Sequence, residues 1–303
     1  MGMLDGKAVV ITGSGQGIGA ACIKGAARQG ASVVVNDIDP ELAGRTAEEI
    51  RQEGGNAIAC VADVSDWEEA GRLIESCLEA FGKIDGLVNN AGLFHLAKVW
   101  DFEPDVARDL LQTNVLGPMH CTAHAVKPMR AQGSGSIVNV VSGAHMGMDG
   151  MTVYGATKGA VASMVYTWAI ELEGTGVRVN GLSPFGLTRM TRPAEGYFDK
   201  ETLAARIAQI QPPEANSPAV EFLLSDRAEG VTGQLLRMDQ GDLQLYTHPA
   251  LLLPPVHRES WTGEQVADAF DSELRERMVP CGVFGMEKGP VSLTEGYWSR
   301  VEK

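Results

Sequence analysis

Apolar residues in this chain fall into short, nearly continuous runs, and between the runs lie segments with spaced apolar positions. The runs are AVVIT (8–12), SVVVND (32–37), AIACVAD (57–63), GLVNNA (86–91), SIVNVVS (136–142) and VRVNGLS (177–183). They are rich in β-branched residues, as expected of strands buried on both faces rather than on one. The intervening segments are rich in Ala, Glu, Leu and Arg. In PELAGRTAEEIRQEGG, Pro40 suits the first turn of a helix and Gly54 its end. Apolar strands separated by helices predict a parallel sheet covered on both sides, an α/β doubly wound architecture. A seventh strand, GQLLRMD (233–239), follows the helix-like SPAVEFLLSD.

The alternation stops near Gly241, which divides the chain into a main domain, 1–241, and an extension, 242–303. In the extension, Thr262 and Gln265 have the spacing of a capping box. Val266, Phe270, Leu274 and Met278 then form an i, i+4 stripe that predicts one amphipathic helix. Sixty residues make a small core, so the extension is expected to pack on the main domain or on a partner subunit.

Composition narrows the function. A formal net charge of −14 repels phosphate backbones and anionic membrane surfaces, which argues against nucleic-acid or membrane partners. Cysteines 22, 60, 77, 121 and 281 are scattered and contain no CxxC, as in a reducing compartment. The first residues lack the pattern of a signal peptide and no stretch reaches the apolar length of a membrane span, so a soluble cytoplasmic protein is expected. His120 and His124 stand at the helical spacing of a metal pair, but no third ligand accompanies them and no metal is assigned.

Directly after the first run comes TGSGQGIG (12–19). Glycines at 13, 17 and 19, set between a strand and a helix, permit a tight turn and bring an anion to a helix N-terminus. That is the pattern expected of a Rossmann-type dinucleotide site, although a glycine-rich turn without a ligand has the same spacing. Asp37 ends the second run, where a carboxylate accepts hydrogen bonds from a ribose diol and repels a 2′-phosphate. Position 16 is Gln rather than a cation, so NAD is expected over NADP. A plainer role for Asp37, capping the next helix, is open equally to Asp39. Tyr154 and Lys158 are one helical turn apart in VYGATKGA; none of the other four tyrosines has a lysine at i+4.

Together these residues resemble the short-chain dehydrogenases/reductases over about 4–241. The elements run in that family's order: the glycine turn, Asp63-Val64, NNAG (89–92), Asn114, Ser142 and the Tyr154–Lys158 pair. The resemblance implies catalysis by Asn114, Ser142, Tyr154 and Lys158. Tyr154 would exchange the proton of an alcohol or carbonyl, and Ser142 would hydrogen-bond the substrate oxygen. Asn114 would hold a water that links Lys158 to solvent. A free phenol is a poor base at neutral pH, and lowering its pKa by about three units takes roughly 4 kcal/mol, part of which the nearby Lys158 charge can supply. The resemblance also implies a cofactor held by Gly13, Gln16, Gly17, Ile18, Gly19, Asp37, Asp63, Val64, Asn90, Ala91, Gly92, Tyr154, Lys158 and Pro184, with Thr188, or else Thr191, beyond. Here the chain departs from the family: Phe185 stands where Gly usually follows Pro184, and Gly186 comes one residue later. Singly, Ser142 can end a strand, Asn114 can be a polar group inside a helix and Tyr154 can be a packing residue.

Family substrate sites are built from loops that correspond here to 92–100, 143–151 and 185–198. Phe94, Met146, Met148, Met151, Phe185, Leu187, Met190 and Phe198 make those loops apolar. That lining implies a hydrophobic secondary alcohol and its ketone, such as a steroid or terpenoid. VVVNDID and the HP and WTGEQ segments also look like the dehydrogenase part of the peroxisomal multifunctional β-oxidation enzyme and its free-standing bacterial relatives. This makes (3R)-3-hydroxyacyl-CoA the alternative substrate, with Arg189, Arg192 or Lys200 as its charge partners. A non-catalytic NAD(H) sensor is the rival of another class. Family members are commonly tetramers assembled through the helices that carry Asn114 and Tyr154, so the resemblance implies a homotetramer, or else a dimer.

Overall fold

The computed structural model describes residues 2–186, 201, 210–239, 241–252, 254–279 and 281–282. Thr188 and Thr191, the cations Arg189, Arg192 and Lys200, and the apolar Leu187, Met190 and Phe198 lie outside the described residues. Strands β1 (Ala8–Ile11), β2 (Ser32–Asp37), β3 (Asn56–Val61), β4 (Gly86–Asn89), β5 (Gly135–Val140), β6 (Val177–Ser183), β7 (Leu235–Asp239) and β8 (Asp242–Leu245) form one sheet in the order β3-β2-β1-β4-β5-β6-β7-β8. The first seven are parallel, as expected. The chain winds outward from β1 to β3, then resumes at β4 on the other side of β1. That reversal opens a crevice at the C-terminal ends of β1 and β4.

Helices α1 (Gly17–Arg28), α2 (Pro40–Gln52), α3 (Trp67–Phe81), α4 (Pro104–Leu111), α5 (Gly117–Gln132), α6 (Thr152–Glu171) and α7 (Ser217–Leu224) connect the strands. The pleat divides each apolar run between two cores. Val9, Ile11, Val33 and Val35 pack with Ile23 and Ala26 of α1, Ile50 of α2 and Leu223 of α7. Ala8, Val10 and Val34 face the other way, onto Leu73 and Ile74 of α3 and Ala125 and Met129 of α5. Asp39 caps α2, accepting from the N–H groups of Glu41 and Leu42, and Pro40 sits at its first position.

Two features differ from the sequence expectation. The eighth strand, at the start of the extension, pairs antiparallel with β7 from Leu236–Leu245 to Asp239–Asp242, after a turn through Gly241 at φ 91°. Its side chains are all exposed, so it carries no buried apolar run that would announce a strand. The expected long helix of the extension begins with the predicted capping box, Thr262 and Gln265, but stays α-helical only through α8 (Gly263–Ala269). A π turn, Phe270–Leu274, and a 3₁₀ turn, Arg275–Arg277, follow. The change of pitch breaks the i, i+4 stripe, and Val266, Phe270 and Met278 are exposed. No helix among the described residues is long and apolar enough to cross a membrane.

Candidate active site

Four predicted residues converge at the C-terminal edge of β4, β5 and β6. Ser142 lies just past β5 and caps a 3₁₀ turn, Gly143–Met146, with its Oγ accepting from the Ala144 N–H at 3.2 Å. Tyr154 and Lys158 project from the first turns of α6. Ser142 hydrogen-bonds the Tyr154 phenol, and the Phe94 ring stands edge-on to the Tyr154 ring at 4.8 Å between centroids. The Lys158 Nζ lies 5.7 Å from the same ring and donates to the Val140 carbonyl at 2.7 Å.

Electrostatically, burial dominates. It pulls the Lys158 ammonium from 10.5 down to about 8. It also pushes the Tyr154 phenol above its ordinary value, against the hydrogen bond from Ser142. The expected lowering of the phenol by Lys158 is therefore not what governs the protein by itself.

Asn114 reaches this cluster through a local change in helix geometry. Pro118, at the start of α5, has no N–H for the Asn114 carbonyl, its α-helical partner four residues back. The ladder shifts to a π turn, Gln112–Leu116, in which Gly117 donates to Gln112. Asn114 is buried there. Its Nδ2 donates to the Leu93 carbonyl at 2.9 Å and to Thr157 Oγ1 at 3.1 Å, while its Oδ1 accepts from Leu93 N–H at 2.7 Å. Thr157 in turn donates to the Tyr154 carbonyl. Asn114 thus ties the loop after β4 to α6.

The glycine turn is packed too closely for side chains. A Cβ on Gly13 would come within 2.9 Å of Ala91 Cα, and one on Gly19 within 2.4 Å of the Gly13 carbonyl. Gly13 and Gly17 take φ of 58° and 60°, open to glycine and costly for other residues. Gln16 precedes α1 without capping it, so no side chain on the N-cap accepts from the first N–H groups of that helix. Ile18 lies against Gly186, near Pro184. Asn90 donates to the carbonyls of Thr12 and Gly13, and Ala91 N–H donates to Thr12 Oγ1. Gly92 abuts Asn114. The Asp37 carboxylate accepts from the N–H groups of Gly15 and Asp39, both at 3.2 Å; Asp39, not Asp37, caps α2. Asp63 accepts from the N–H and hydroxyl of Ser65, and Val64 is wedged against Gly117.

Several residues that shape the site belong to no motif that marks a role for them. Thr12, Asn36 and Asn216 are buried. The Asn36 Oδ1 accepts from Gly13 N–H, and Asn216 holds both the N–H and the carbonyl of Phe185. The loops 92–100 and 143–151 are joined by a bridge at Ala97 and Met151 and by the Lys98–Asp149 ion pair. His120 and His124 are engaged elsewhere: both rings pack on Trp67, and His120 Nδ1 meets the Val64 carbonyl.

The family model described as short chain dehydrogenase matches residues 7–199, and the chain belongs to that family. A 3-oxoacyl-(acyl-carrier-protein) reductase of Thermotoga maritima is 35% identical over 242 residues, covering 78% of this chain and 98% of the relative. A short chain dehydrogenase from Mycobacterium avium superposes with a TM-score of 0.82 at 28% identity, covering 94% of this chain and all of that one. A 7α-hydroxysteroid dehydrogenase, solved with NADH and 7-oxo glycochenodeoxycholic acid, gives 0.73 at 32% identity over 78% of this chain and 94% of its own. The protein is an NAD(P)-dependent oxidoreductase acting on CH–OH groups.

Proposed function

We propose that the protein uses NAD to interconvert a hydrophobic secondary alcohol and its ketone, with Tyr154, Ser142, Lys158 and Asn114 as its working set. The observation that carries this reading is the meeting of Ser142 and Tyr154 near Lys158, with the loop after β4 packed against the glycine turn at Ala91 and against Asn114 at Gly92.

The residues fit a dinucleotide. The uncapped first turn of α1 suits a pyrophosphate, Asp37 a ribose diol, and Gly13 to Gly19 the close approach of both. Asn90, Ala91 and Gly92 shape the cleft floor, Asp63 and Val64 its adenine end, and Pro184 its nicotinamide end. Bound NAD would supply the hydride acceptor and a positive charge. Tyr154 takes the hydroxyl proton as the carbon–hydrogen bond gives up its hydride, and returns that proton in the reverse direction. Ser142 hydrogen-bonds the reacting oxygen as its charge changes. Lys158 places its ammonium under the phenol and favours its ionised form. Asn114 fixes the loop that carries Leu93 and Phe94 against α6.

The steroid ligand of the solved relative supports an apolar substrate, and so does the Phe94–Met146–Met151 lining. The acyl-carrier relative supports the second reading, a 3-hydroxyacyl thioester. A paired panel separates the two: NADH formation from uncharged steroid and terpenoid alcohols, and none from (3R)-3-hydroxyacyl-CoA, is expected. Turnover of the thioesters alone overturns the substrate class and leaves the chemistry in place. We further assign a homotetramer built on the faces of α4 to α6, where Leu111, Leu116, Met119 and Ile170 are exposed.

A further inference from the structure

Both ends of the described extension return to the turn that follows Ser142. At the near end, just past β8, Tyr246 donates from its hydroxyl to Ser183 Oγ at 3.1 Å, at the last residue of β6. Its ring stands edge-on to His145, with centroids 5.2 Å apart. His145 Nδ1 lies 2.6 Å from the Ser142 carbonyl oxygen. A carbonyl only accepts, so that ring nitrogen carries the hydrogen. At the far end, Gly282 N–H donates to the Met146 carbonyl at 3.0 Å, and the Cys281 Cβ approaches Gly147. The turn Gly143–Met146 is thus held by Ser142 on one side and by two separate points of the extension on the other. Arg237 of β7, paired with Asp239 and hydrogen-bonded to the Tyr246 phenol, fixes the tyrosine from behind.

From this geometry we propose that the extension is a wall of the substrate site, with Tyr246 as the positioning residue that sets where the 143–147 turn stands beside Ser142. The sheet and α6 supply the reacting groups. The extension supplies the limit on what size of alcohol reaches them. This deepens the proposed function and rests on its placing of Ser142 and Tyr154 at the reacting carbon.

The chemistry of the contacts fixes what each variant does. Tyr246→Ala removes the ring from His145 and the hydroxyl from Ser183, so the turn loses its near-end support and the site widens. Tyr246→Phe keeps the ring on His145 and loses the hydroxyl's bonds to Ser183 and Arg237, neither of which touches the 143–147 turn. Gly282→Pro removes the N–H that meets Met146 and cannot adopt the φ of 127° found there. Gly282 is half-buried and belongs to neither hydrophobic core, so that variant leaves both cores intact.

The test uses the full chain. Hydrogen exchange of the peptide spanning 142–148 is compared among wild type, Tyr246→Ala, Tyr246→Phe and Gly282→Pro. In parallel, kcat and KM are measured with NAD on a series from cyclohexanol to hydroxysteroids. Tyr246→Ala and Gly282→Pro are expected to speed exchange of the turn, with unchanged NADH binding. They are also expected to raise the kcat/KM of the bulkier alcohols relative to the compact ones by about tenfold, the equivalent of roughly 1.4 kcal/mol. Most of that change falls on KM, and Tyr246→Phe restores the wild-type ratio. Wild-type exchange and an unaltered size preference in both disruptive variants overturn the proposal. Tyr154→Phe serves as the control: if it turns over alcohols normally, the placing of the reacting groups has failed, whatever the extension does.

Discussion

An ammonium buried as deeply as that of Lys158 works against the fold that contains it. Its pKa falls from 10.5 to about 8, so below pH 8 the protonated side chain costs about 3 kcal/mol relative to the unfolded chain. Between pH 8 and 10.5 the unfolded state holds that proton and the folded state does not, so wild-type stability rises with pH across this window. Lys158→Met is therefore expected to abolish turnover yet raise stability at pH 7 by on the order of 2 kcal/mol, after the lost bond to Val140 is subtracted. Denaturant titration should show the advantage shrinking from pH 8 to 10.5; a pH-independent difference contradicts the assignment. Asp37 gives a second residue-scale prediction. A carboxylate about 5 Å from a 2′-phosphate is repelled by on the order of 3 kcal/mol at an effective dielectric near 20. Asp37→Ser should raise the NADP-to-NAD ratio of kcat/KM by up to about a hundredfold, read from initial rates with each cofactor. The Tyr154–Lys158 pair was legible because one helical turn puts both on one face. Thr12 and Asn36 were not: a buried polar residue at a strand end looks, in sequence, like the start of any turn, and only the neighbouring strand shows what it holds.

At the scale of elements, the inner strands β1, β2, β4, β5 and β6 were legible because they are buried on both faces, which leaves a continuous apolar run; β3, at the sheet edge, keeps such a run although half of its positions are exposed. The eighth strand fails that rule, since Leu243 and Leu245 are exposed and only backbone pairing holds it to β7. The π turn around Asn114 was equally hidden. The sign was Pro118, whose missing N–H displaces the ladder, and a proline near the start of a helix reads as an ordinary first-turn residue. Pro118→Ala restores the donor and is expected to convert the π turn to α-helix, swinging Asn114 away from Leu93 and Thr157. Misplacement of about 1 Å lowers rates by up to ~10²-fold, so kcat should fall steeply with little loss of melting temperature. Unchanged kcat would show that Asn114 does not depend on the turn. The capping box of α8 is visible in the Thr262–Gln265 spacing, but the helix behind it changes pitch at Phe270, and no pairwise spacing rule reports that.

For the whole molecule, the switch of winding direction at β1 and β4 locates the crevice, and the two cores on either side of the sheet hold it open. The location of the extension was not legible. Its residues meet the main domain through Ser183, Met146 and the ring of His145, contacts that no periodicity encodes. The exposed Leu111, Leu116, Met119 and Ile170 lie on helices beside the site, and assembly through them predicts a species of four 32.3 kDa chains by light scattering. A monomer at micromolar concentration contradicts that assembly.

The most direct measurement is NADH formation by wild type and by Tyr154→Phe with the same alcohol, alongside NADH binding to each. The account predicts that both bind NADH equally and that the variant loses turnover by several orders of magnitude, because a phenyl ring has no proton to exchange. Turnover retained in the variant contradicts it. So does a wild type that binds NADH and oxidises no alcohol of the panel, which leaves a binding protein in place of an enzyme.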